Sequence, residues 1–484
     1  MTLPQSLNMT SSHKWWVFTA VSIGHFVSVM DQTGLTVAIP PIANHFNATI
    51  PAVQWVVLGY ILSISALLLP MGRLADLVGR KRIYILGFVI FTAGAAIASF
   101  SPNLGVLIAL RMAQGVGTAM IQATSMAIVI STFPNEQRGR AIGLIITVVG
   151  LGAIVGPVVA GTMVGSFGWP SIFLLSVPLG IISVSIAVLV LKQGEGQEAP
   201  TSGLMDFDFA GAALSTAAMV GFLVILTFGQ QVGWTSSIIV IGSAGIVTLS
   251  LGFIFWETKA SDPLIPLSLF KKARFSFGAT ASFLSFMSST TIFFLMPFFL
   301  QEVQGYTPGQ TGLVLITGAI CMATVGPMAG RLSDRFGSKL FTVTGLSLST
   351  TGFILFSQLD QSTSLLIVIV GLLLSGSGMA MFSSPNSSSI LGSVDRARYG
   401  VTTAFLNLIR NSGNITGLAL ATTIVTATMA SAGFEPSLSA VSAEGGGVTI
   451  AFTRGLGFAF IVAAGLSGTA LILTATHKQP TRQS

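Results

Sequence analysis

Long apolar runs separated by short polar segments extend along almost the whole chain. Each run has about the 20 residues that a helix needs to cross roughly 30 Å of hydrocarbon. The polar segments between them are too short for a sizeable soluble domain. The pattern predicts an all-α polytopic membrane protein with about 14 transmembrane helices. The runs are residues 15–39, 52–72, 83–100, 104–133, 141–165, 170–191, 208–228, 237–256, 276–300, 310–330, 340–357, 364–391, 401–428 and 452–475.

Composition supports a membrane protein. Of the 484 residues 52% are hydrophobic and 8% are charged, and the mean hydropathy is +0.84. A soluble domain of this composition would lack the polar surface to cover its core. The net charge of +7 would suit nucleic acid in a soluble protein, but the basic residues lie between apolar runs, so no nucleic-acid partner is expected. Cys321 is the only cysteine, which excludes an intrachain disulfide.

The basic residues alternate between the two sides of the predicted membrane. All but three of the 22 Lys and Arg residues fall in alternate loops, beginning with Lys14. The exceptions are Arg111 and Arg410, inside runs, and Arg454, near an outer end. Because loops rich in Lys and Arg stay in the cytoplasm, the pattern predicts a multi-pass protein of the plasma membrane with both termini cytoplasmic.

An internal repeat divides the chain. The segment Gly72-Arg-Leu-Ala-Asp-Leu-Val-Gly-Arg-Lys-Arg82 recurs, with changes, as Gly330-Arg-Leu-Ser-Asp-Arg-Phe-Gly-Ser-Lys339. The offset pairs the first six runs with the last six and leaves the seventh and eighth unmatched. We therefore expect two six-helix bundles and two additional helices. The predicted units are an N-terminal bundle (1–192), a cytoplasmic linker with two inserted helices (193–257) and a C-terminal bundle (258–484).

The repeated segment resembles the signature loop between spans two and three of the major facilitator superfamily. The resemblance implies a transporter rather than an enzyme, in which two bundles alternate access to a central site and these loops latch one gate. The alternative is a positively charged anchor with no gating role. The residues that the resemblance assigns to the two loops are Gly72, Asp76, Gly79, Arg80, Gly330, Asp334 and Gly337.

The fifth run resembles the antiporter motif of exporters in the same superfamily, with Gly143, Gly152, Gly156, Pro157 and the pair Ala160-Gly161. Glycines four residues apart form a flat face for close helix packing, and a proline lets a helix bend. Gly152, Gly156 and Pro157 are therefore candidate gating residues. Ordinary glycine-rich packing is the alternative.

Two charged residues inside the first half are the candidates for ion coupling. The segment Met30-Asp31-Gln-Thr-Gly-Leu-Thr-Val-Ala-Ile-Pro40 resembles the first-span motif of fourteen-helix drug:proton antiporters. An Asp inside a span costs about 2.5 to 3.5 kcal/mol, so it is expected to face a cavity and to have a task. A proton and a cationic substrate would exclude each other at Asp31, which would couple their transport. Arg111 resembles the fourth-span arginine of these antiporters and is the expected partner of Asp31; a fixed hydrogen bond to backbone carbonyls is the alternative.

Two further polar residues leave their roles open. Arg410 is a third charge inside a run, and the sequence favours neither a structural nor a functional role for it. His25 precedes Asp31 by six residues, a spacing that puts the two side chains on different helix faces. Helix packing is therefore favoured for His25 over a proton relay.

Candidate substrate contacts come from family resemblance and from aromatic content. Aromatic and Met side chains suit flat, lipophilic cations, although Phe is also common on lipid-facing surfaces. A polar stretch at residues 383–389 interrupts the twelfth run as a cavity wall would. The candidates are Gln54, Trp55 and Tyr60 near the second run, Phe283, Phe286, Met287 and Phe294 in the ninth, and Asn386 in the twelfth.

The sequence contains no nucleotide-binding Walker loop and no metal-ligand spacing, so we expect no cofactor and a proton gradient as the energy source. Some members of the family that the chain resembles carry an added acidic residue in the tenth run, which is associated with divalent cations. This run has none, so the resemblance implies monovalent cations. The resemblance implies a proton-coupled antiporter, a monomer among membrane lipids, that exports lipophilic cationic drugs. The alternatives are an exporter of a lipid or amphiphile, an uncoupled facilitator or importer of a small nutrient, and a sensor that does not transport.

Overall fold

The computed structural model describes residues 11–133, 135–191, 209–233, 235–259, 270–394, 399–434 and 446–476, and these form fourteen long helices. Twelve of the fourteen are long and apolar enough to cross a membrane, α1 and α7 being outside that set. The helices are α1 Ser11–His45, α2 Trp55–Val78, α3 Arg80–Ala98, α4 Leu104–Thr132, α5 Asn135–Phe167, α6 Pro170–Val190, α7 Phe209–Val232, α8 Ser237–Lys259, α9 Ala273–Phe298, α10 Pro308–Phe336, α11 Ser338–Phe356, α12 Leu365–Leu391, α13 Tyr399–Ser431 and α14 Gly447–Thr476.

The helices correspond one to one with the predicted runs, so the predicted fold class is confirmed. Several extend beyond the apolar run, because a helix continues past the hydrocarbon wherever its backbone hydrogen bonds can form. The helix α9 ends in a π-helical turn, Phe299–Val303, and a single turn, Ile50–Val53, precedes α2. In both repeated loops the connection is one glycine, with φ of +113° at Gly79 and +89° at Gly337. A residue with a side chain would be strained there.

Helix pairing repeats the duplication seen in the sequence. In the first bundle α1 packs along α5, and α4 packs against both α2 and α3. In the second bundle α9 packs along α13, and α12 packs against both α10 and α11. Each pair in one half thus has its counterpart eight helices later.

The helices α7 and α8 form a separate pair. The helix α7 contacts α2 and α13, one helix from each bundle, and α8 packs mainly on α7. Side chains of α8 such as Ile238 and Ile241 are about three-quarters exposed, at 74% and 70%. Such a surface suits contact with lipid tails.

Among the described residues, the hydrophobic core joins the two bundles at one end only. We call the end that carries Arg80 and Lys339 the basic end, and the end that carries residues 46–54 and 299–307 the opposite end. One cluster at the opposite end includes Leu35 and Tyr60 from the first bundle and Phe298 and Phe460 from the second. At the basic end the described clusters stay within one half of the molecule. The bundles are therefore closed against each other at the opposite end.

Candidate functional site

The predicted partners Asp31 and Arg111 form a buried ion pair between α1 and α4. Arg111 Nη1 lies 2.8 Å from Asp31 Oδ2, and both side chains are 1% exposed. Ser176 of α6 donates to the other carboxylate oxygen, Oδ1, at 3.1 Å. Both oxygens of Asp31 thus have partners, as a buried carboxylate requires.

The Arg111 guanidinium is held on several sides. Its Nη1 also donates to Gln114 Oε1 at 2.9 Å, and its Nε donates to the Val56 carbonyl at 3.4 Å. Its Cζ lies 4.1 Å from the centroid of the Tyr60 ring and 5.7 Å from that of Phe173. Among the described residues, Arg111 Nη2 has no hydrogen-bond partner. The backbone contact that the sequence offered as an alternative therefore exists alongside the ion pair.

Four helices supply this site, all from the first bundle: α1, α2, α4 and α6. The spacing of three residues places Gln114 beside Arg111 on one face of α4. The hydroxyl of Tyr60 lies 2.9 Å from that of Thr118, one turn further along α4, which fixes the ring beneath the guanidinium. The second bundle contributes no charged side chain to the described contacts of the pair.

Tyr60 provides a test of the cation–π contact. Tyr60→Phe keeps the ring and removes the hydrogen bond with Thr118, and we expect a loss of about 1 kcal/mol in stability. Tyr60→Leu also removes the ring, and we expect a further loss of about 2 kcal/mol because the guanidinium is buried. The midpoint of thermal unfolding in detergent measures both, with Tyr306→Phe as a control at a half-buried loop position. Equal midpoints for Tyr60→Phe and Tyr60→Leu would show that the ring does not stabilise Arg111.

The glycine motif of α5 lies between the two bundles. A Cβ at Gly152 would lie 3.0 Å from the Phe26 carbonyl oxygen, and one at Gly156 would lie 2.8 Å from that of Met30, so this face packs tightly on α1. A Cβ at Gly161 would lie 2.5 Å from the Pro308 carbonyl oxygen of α10.

Pro157 takes part in the same seam. A Cβ at Gly312 of α10 would collide with the Pro157 carbonyl oxygen. The helix α5 therefore has one small-residue face toward its own bundle and another toward the second bundle.

Polar contacts also join the bundles at the opposite end. Asn44 Nδ2 at the end of α1 donates to Glu302 Oε1 at 2.9 Å. Gln301 Nε2 donates to the Val37 carbonyl at 3.0 Å. The helix that carries Asp31 thus also carries the contacts that close this end.

The two repeated loops differ in packing. A Cβ at Gly72 would lie 3.9 Å from the Ala123 Cβ, an ordinary van der Waals contact, so the helices do not approach closely there in this conformation. A Cβ at Gly330 would lie 2.8 Å from Ser384 Oγ, which is tight. The side chains of Asp76 and Asp334, and the surroundings of Gly143, lie outside what the structure describes.

At the basic end Arg80 begins α3 directly after Gly79, and Gly337 makes the equivalent connection between α10 and α11. Next to Arg80, Lys81 Nζ donates to the carbonyls of Val188, at 3.1 Å, and Leu191 at the end of α6. This cation therefore neutralises the C-terminal end of a helix.

The candidate substrate residues are mostly buried in helix contacts. Gln54 is 1% exposed, and Trp55 begins α2 beside it. Phe294 is 4% exposed and packs on Phe298 within the cluster that joins the bundles. In this conformation these side chains contribute to the core rather than to an open wall.

Three further candidates lie where α9 meets its neighbours. Gly413 of α13 packs against the Phe283 carbonyl oxygen and the Phe286 Cβ, and Gly417 packs against Met287. Met287 also lines a small cavity of about 10 Å³ between α9, α13 and α14.

Asn386 joins α12 to α9. Its Nδ2 donates to the Gly278 carbonyl at 3.0 Å and to Ser282 Oγ at 2.7 Å. The polar stretch around it does not interrupt the helix, since α12 runs through to Leu391. Its polarity serves a contact between helices instead.

Sequence reasoning missed Ser176, Gln114 and Phe173 as parts of the site. Gln114 had a signal, because it lies one helical turn from Arg111. Ser176 and Phe173 had none, since α6 offers no pattern that selects one of its faces. Over the described residues, no group of three His, Cys, Asp or Glu side chains is placed to bind a metal ion.

Comparison of the whole chain with known proteins finds transporters. Residues 21–418 and 278–483 match the family model described as the Major Facilitator Superfamily. The riboflavin transporter RibZ of Clostridioides difficile is 32% identical over 398 residues, which cover 82% of this chain and 85% of that protein. The multidrug resistance protein Stp of Mycobacterium tuberculosis (strain CDC 1551 / Oshkosh) is 30% identical over 424 residues, covering 87% and 77%.

Solved structures share the fold. A bacterial homologue of the human lysosomal transporter Spinster, in an inward-facing, unoccupied conformation, superposes with a TM-score of 0.73 over 96% of this chain and 97% of that one. The sequence identity is 16%, so the likeness concerns the fold alone.

Proposed function

The chain belongs to the major facilitator superfamily, and from that premise we propose that it is a proton-coupled antiporter that exports lipophilic small molecules by alternating access. The observation that carries the proposal is the buried ion pair of Asp31 and Arg111. Asp31 lies on α1, and the same helix also closes the opposite end through Asn44. Its relatives include multidrug resistance proteins. Members of this family are transporters and not enzymes.

The geometry suggests how a proton would act. A proton on Asp31 would remove the charge that binds Arg111 Nη1 across 2.8 Å. Arg111 would stay in place, because Gln114 and the Tyr60 ring also hold it. The helix α1 would then lose its strongest polar link to α4. Protonation would therefore loosen α1, which is bound to the second bundle at its Asn44 end.

The basic loops support a proposal for direction and location. If the basic end is cytoplasmic, as the positive-inside rule indicates, the structure is closed toward the outside. We therefore propose a protein of the plasma membrane with cytoplasmic termini, working as a monomer among lipids. The proton gradient would be the energy source, with no cofactor.

The charge of the cargo needs a separate argument. The sequence predicted cations on the assumption that Asp31 is accessible to a substrate. In the structure Arg111 and Ser176 occupy both oxygens of that carboxylate. A cationic substrate would first have to displace Arg111. The charge of the substrate is therefore better inferred from the other side chains between the two bundles.

A second candidate function is supported by one relative. The riboflavin transporter that is 32% identical over most of both chains favours transport of a nutrient. An uncoupled facilitator would need no proton site, and the buried Asp31 would then be structural.

One experiment separates the two candidates. Purified protein is reconstituted in liposomes that contain a pH-sensitive dye, and riboflavin or lipophilic cations, anions and neutral compounds are added under an imposed proton gradient. We expect proton movement that depends on an added lipophilic compound and is absent in protein-free liposomes. Riboflavin uptake without proton movement, and no response to the other compounds, would favour the facilitator.

A further inference from the structure

The helix α13 carries a polar stripe that the proposed mechanism does not use. Asn407, Arg410, Asn411 and Asn414 follow the spacing i, i+3, i+4, i+7 and therefore share one face of the helix. They lie in the half of the apolar span Phe405–Ser431 that is nearer the basic end. Polar groups at such positions are costly and usually serve a function.

The other faces of α13 are occupied by its own bundle and by α7. Phe405 and Ile409 pack in a cluster with α9 and α12. Gly413 and Gly417 pack against the backbone of α9. At the far end of the stripe, Asn414 Oδ1 accepts a hydrogen bond from Thr290 of α9 at 2.8 Å. The stripe thus touches α9 at Asn414 and runs from there toward the basic end of α13.

The same face of α13 is turned toward the first bundle. Further along this face, Leu418 and Val425 belong to the cluster that joins the two bundles, and α13 packs on α2. Arg410 is half-buried, and at this end the described bundles share no hydrophobic cluster. The stripe therefore lies along the seam, where the described bundles are not closed against each other.

The positive charge of Arg410 is not neutralised within the described chain. No carboxylate among those residues lies within salt-bridge distance of it. The charges of Asp31 and Arg111 cancel each other. Glu257, the other buried acid, lies at the basic end of α8, outside both bundles. The seam therefore carries a net positive charge.

We infer that Arg410, with the asparagines of the stripe, binds the anionic group of an amphiphilic substrate, such as a carboxylate, sulfonate or phosphate. This inference rests on the proposed function, since it names the charge of the compound that the same transporter carries. An anion would neutralise Arg410, and the asparagine amides would supply further donors. The apolar part of the substrate would contact the surrounding Phe and Met side chains.

Three pyrene compounds with one scaffold test the charge class: 1-pyrenebutyrate, 1-pyrenebutanol and the trimethylammonium derivative of the same pyrenyl chain. Binding to the full-length protein in phosphatidylcholine nanodiscs is measured by energy transfer from tryptophan to pyrene, against empty discs. We expect the butyrate to bind about tenfold more tightly than the cation. Arg410→Gln should remove this preference, and Arg410→Lys should keep most of it. Arg454→Gln, at an exposed arginine of α14, is the matched control and should change nothing.

Several outcomes would overturn the inference. Equal weakening of all three compounds by Arg410→Gln, with Arg410→Lys no better, would assign Arg410 a structural role. In phosphatidylglycerol discs, loss of the difference between wild type and Arg410→Gln would assign the site to a lipid headgroup. Proton movement driven by cations alone, with no charge preference in binding, would remove the anion site and leave the proposed function standing. Anion binding that depends on Arg410, in a protein that moves no protons, would support the anion site and contradict the proposed function.

Discussion

Asp31→Asn is expected to abolish substrate-driven proton movement and to lower the stability of the protein. The neutral amide cannot release a proton, and it leaves Arg111 as an uncompensated charge in a buried site. Breaking a buried ion pair by removing one partner typically costs about 3 to 5 kcal/mol. The pH-dye assay in liposomes measures the coupling, and the midpoint of thermal unfolding measures the stability.

A double variant separates these two effects. Asp31→Asn combined with Arg111→Gln removes both charges, so we expect stability to recover in part while proton movement stays absent. Asp360→Asn is the matched control, because Asp360 is an exposed carboxylate in the loop before α12. Hydrogen bonds from Ser362 and Thr363 hold its pKa below the usual value, and its loop belongs to the second bundle, outside the four helices that form the site. Proton coupling that survives in Asp31→Asn would place the proton site elsewhere.

Gly161→Leu is expected to open the seam between α5 and α10 and to slow transport by about fivefold or more. A Cβ at this position would lie 2.5 Å from the Pro308 carbonyl oxygen and 3.1 Å from Gly309 Cα, where only backbone could move away. Overpacking costs about 1 to 3 kcal/mol, which would shift the equilibrium away from the closed state by roughly 5- to 150-fold.

Labelling would report this shift. In a Cys321→Ala background, Thr311→Cys places a thiol on α10 at a position that is fully buried in the closed state. Its reaction with a membrane-impermeant maleimide should accelerate in Gly161→Leu. Gly165→Leu is the control on the same helix, since a Cβ at Gly165 would meet no atom within 4 Å. Equal labelling in the two variants would mean that the seam at Gly161 does not set the conformation.

Much of the fold could be predicted because the bilayer fixes helix length and loop charge. The repeat of Gly72–Arg82 set the register of the halves, and the helix pairs follow it. The first and last residues of the helices were less predictable. The helix α1 begins at Ser11 and α5 at Asn135, where hydropathy no longer indicates helix. The pairing of Asp31 with Arg111 was predictable, because two opposite charges in an apolar half have few other partners.

The orientation of helix faces was not predictable. In a membrane an apolar side chain is equally suited to lipid and to the core, so hydrophobicity does not identify the buried face. Phe283, Phe286 and Met287 illustrate this, since they lie where α9 meets α13. Asn386 looked like part of a cavity wall, but its two hydrogen bonds join α12 to α9. Ser176 reaches Asp31 only because α6 packs on α1.

The inserted pair α7–α8 has a consequence for how such a chain is assembled. Each helix that crosses the bilayer reverses the side on which the next one begins, so only an even number between the halves keeps the duplicates parallel. A single extra helix would turn the second half over and carry Arg331 and Lys339 to the side away from Arg80 and Lys81. The positive-inside rule opposes that inversion. Parity therefore requires that this region be gained or lost as a hairpin, and a shortened chain that still transports must lack both helices together.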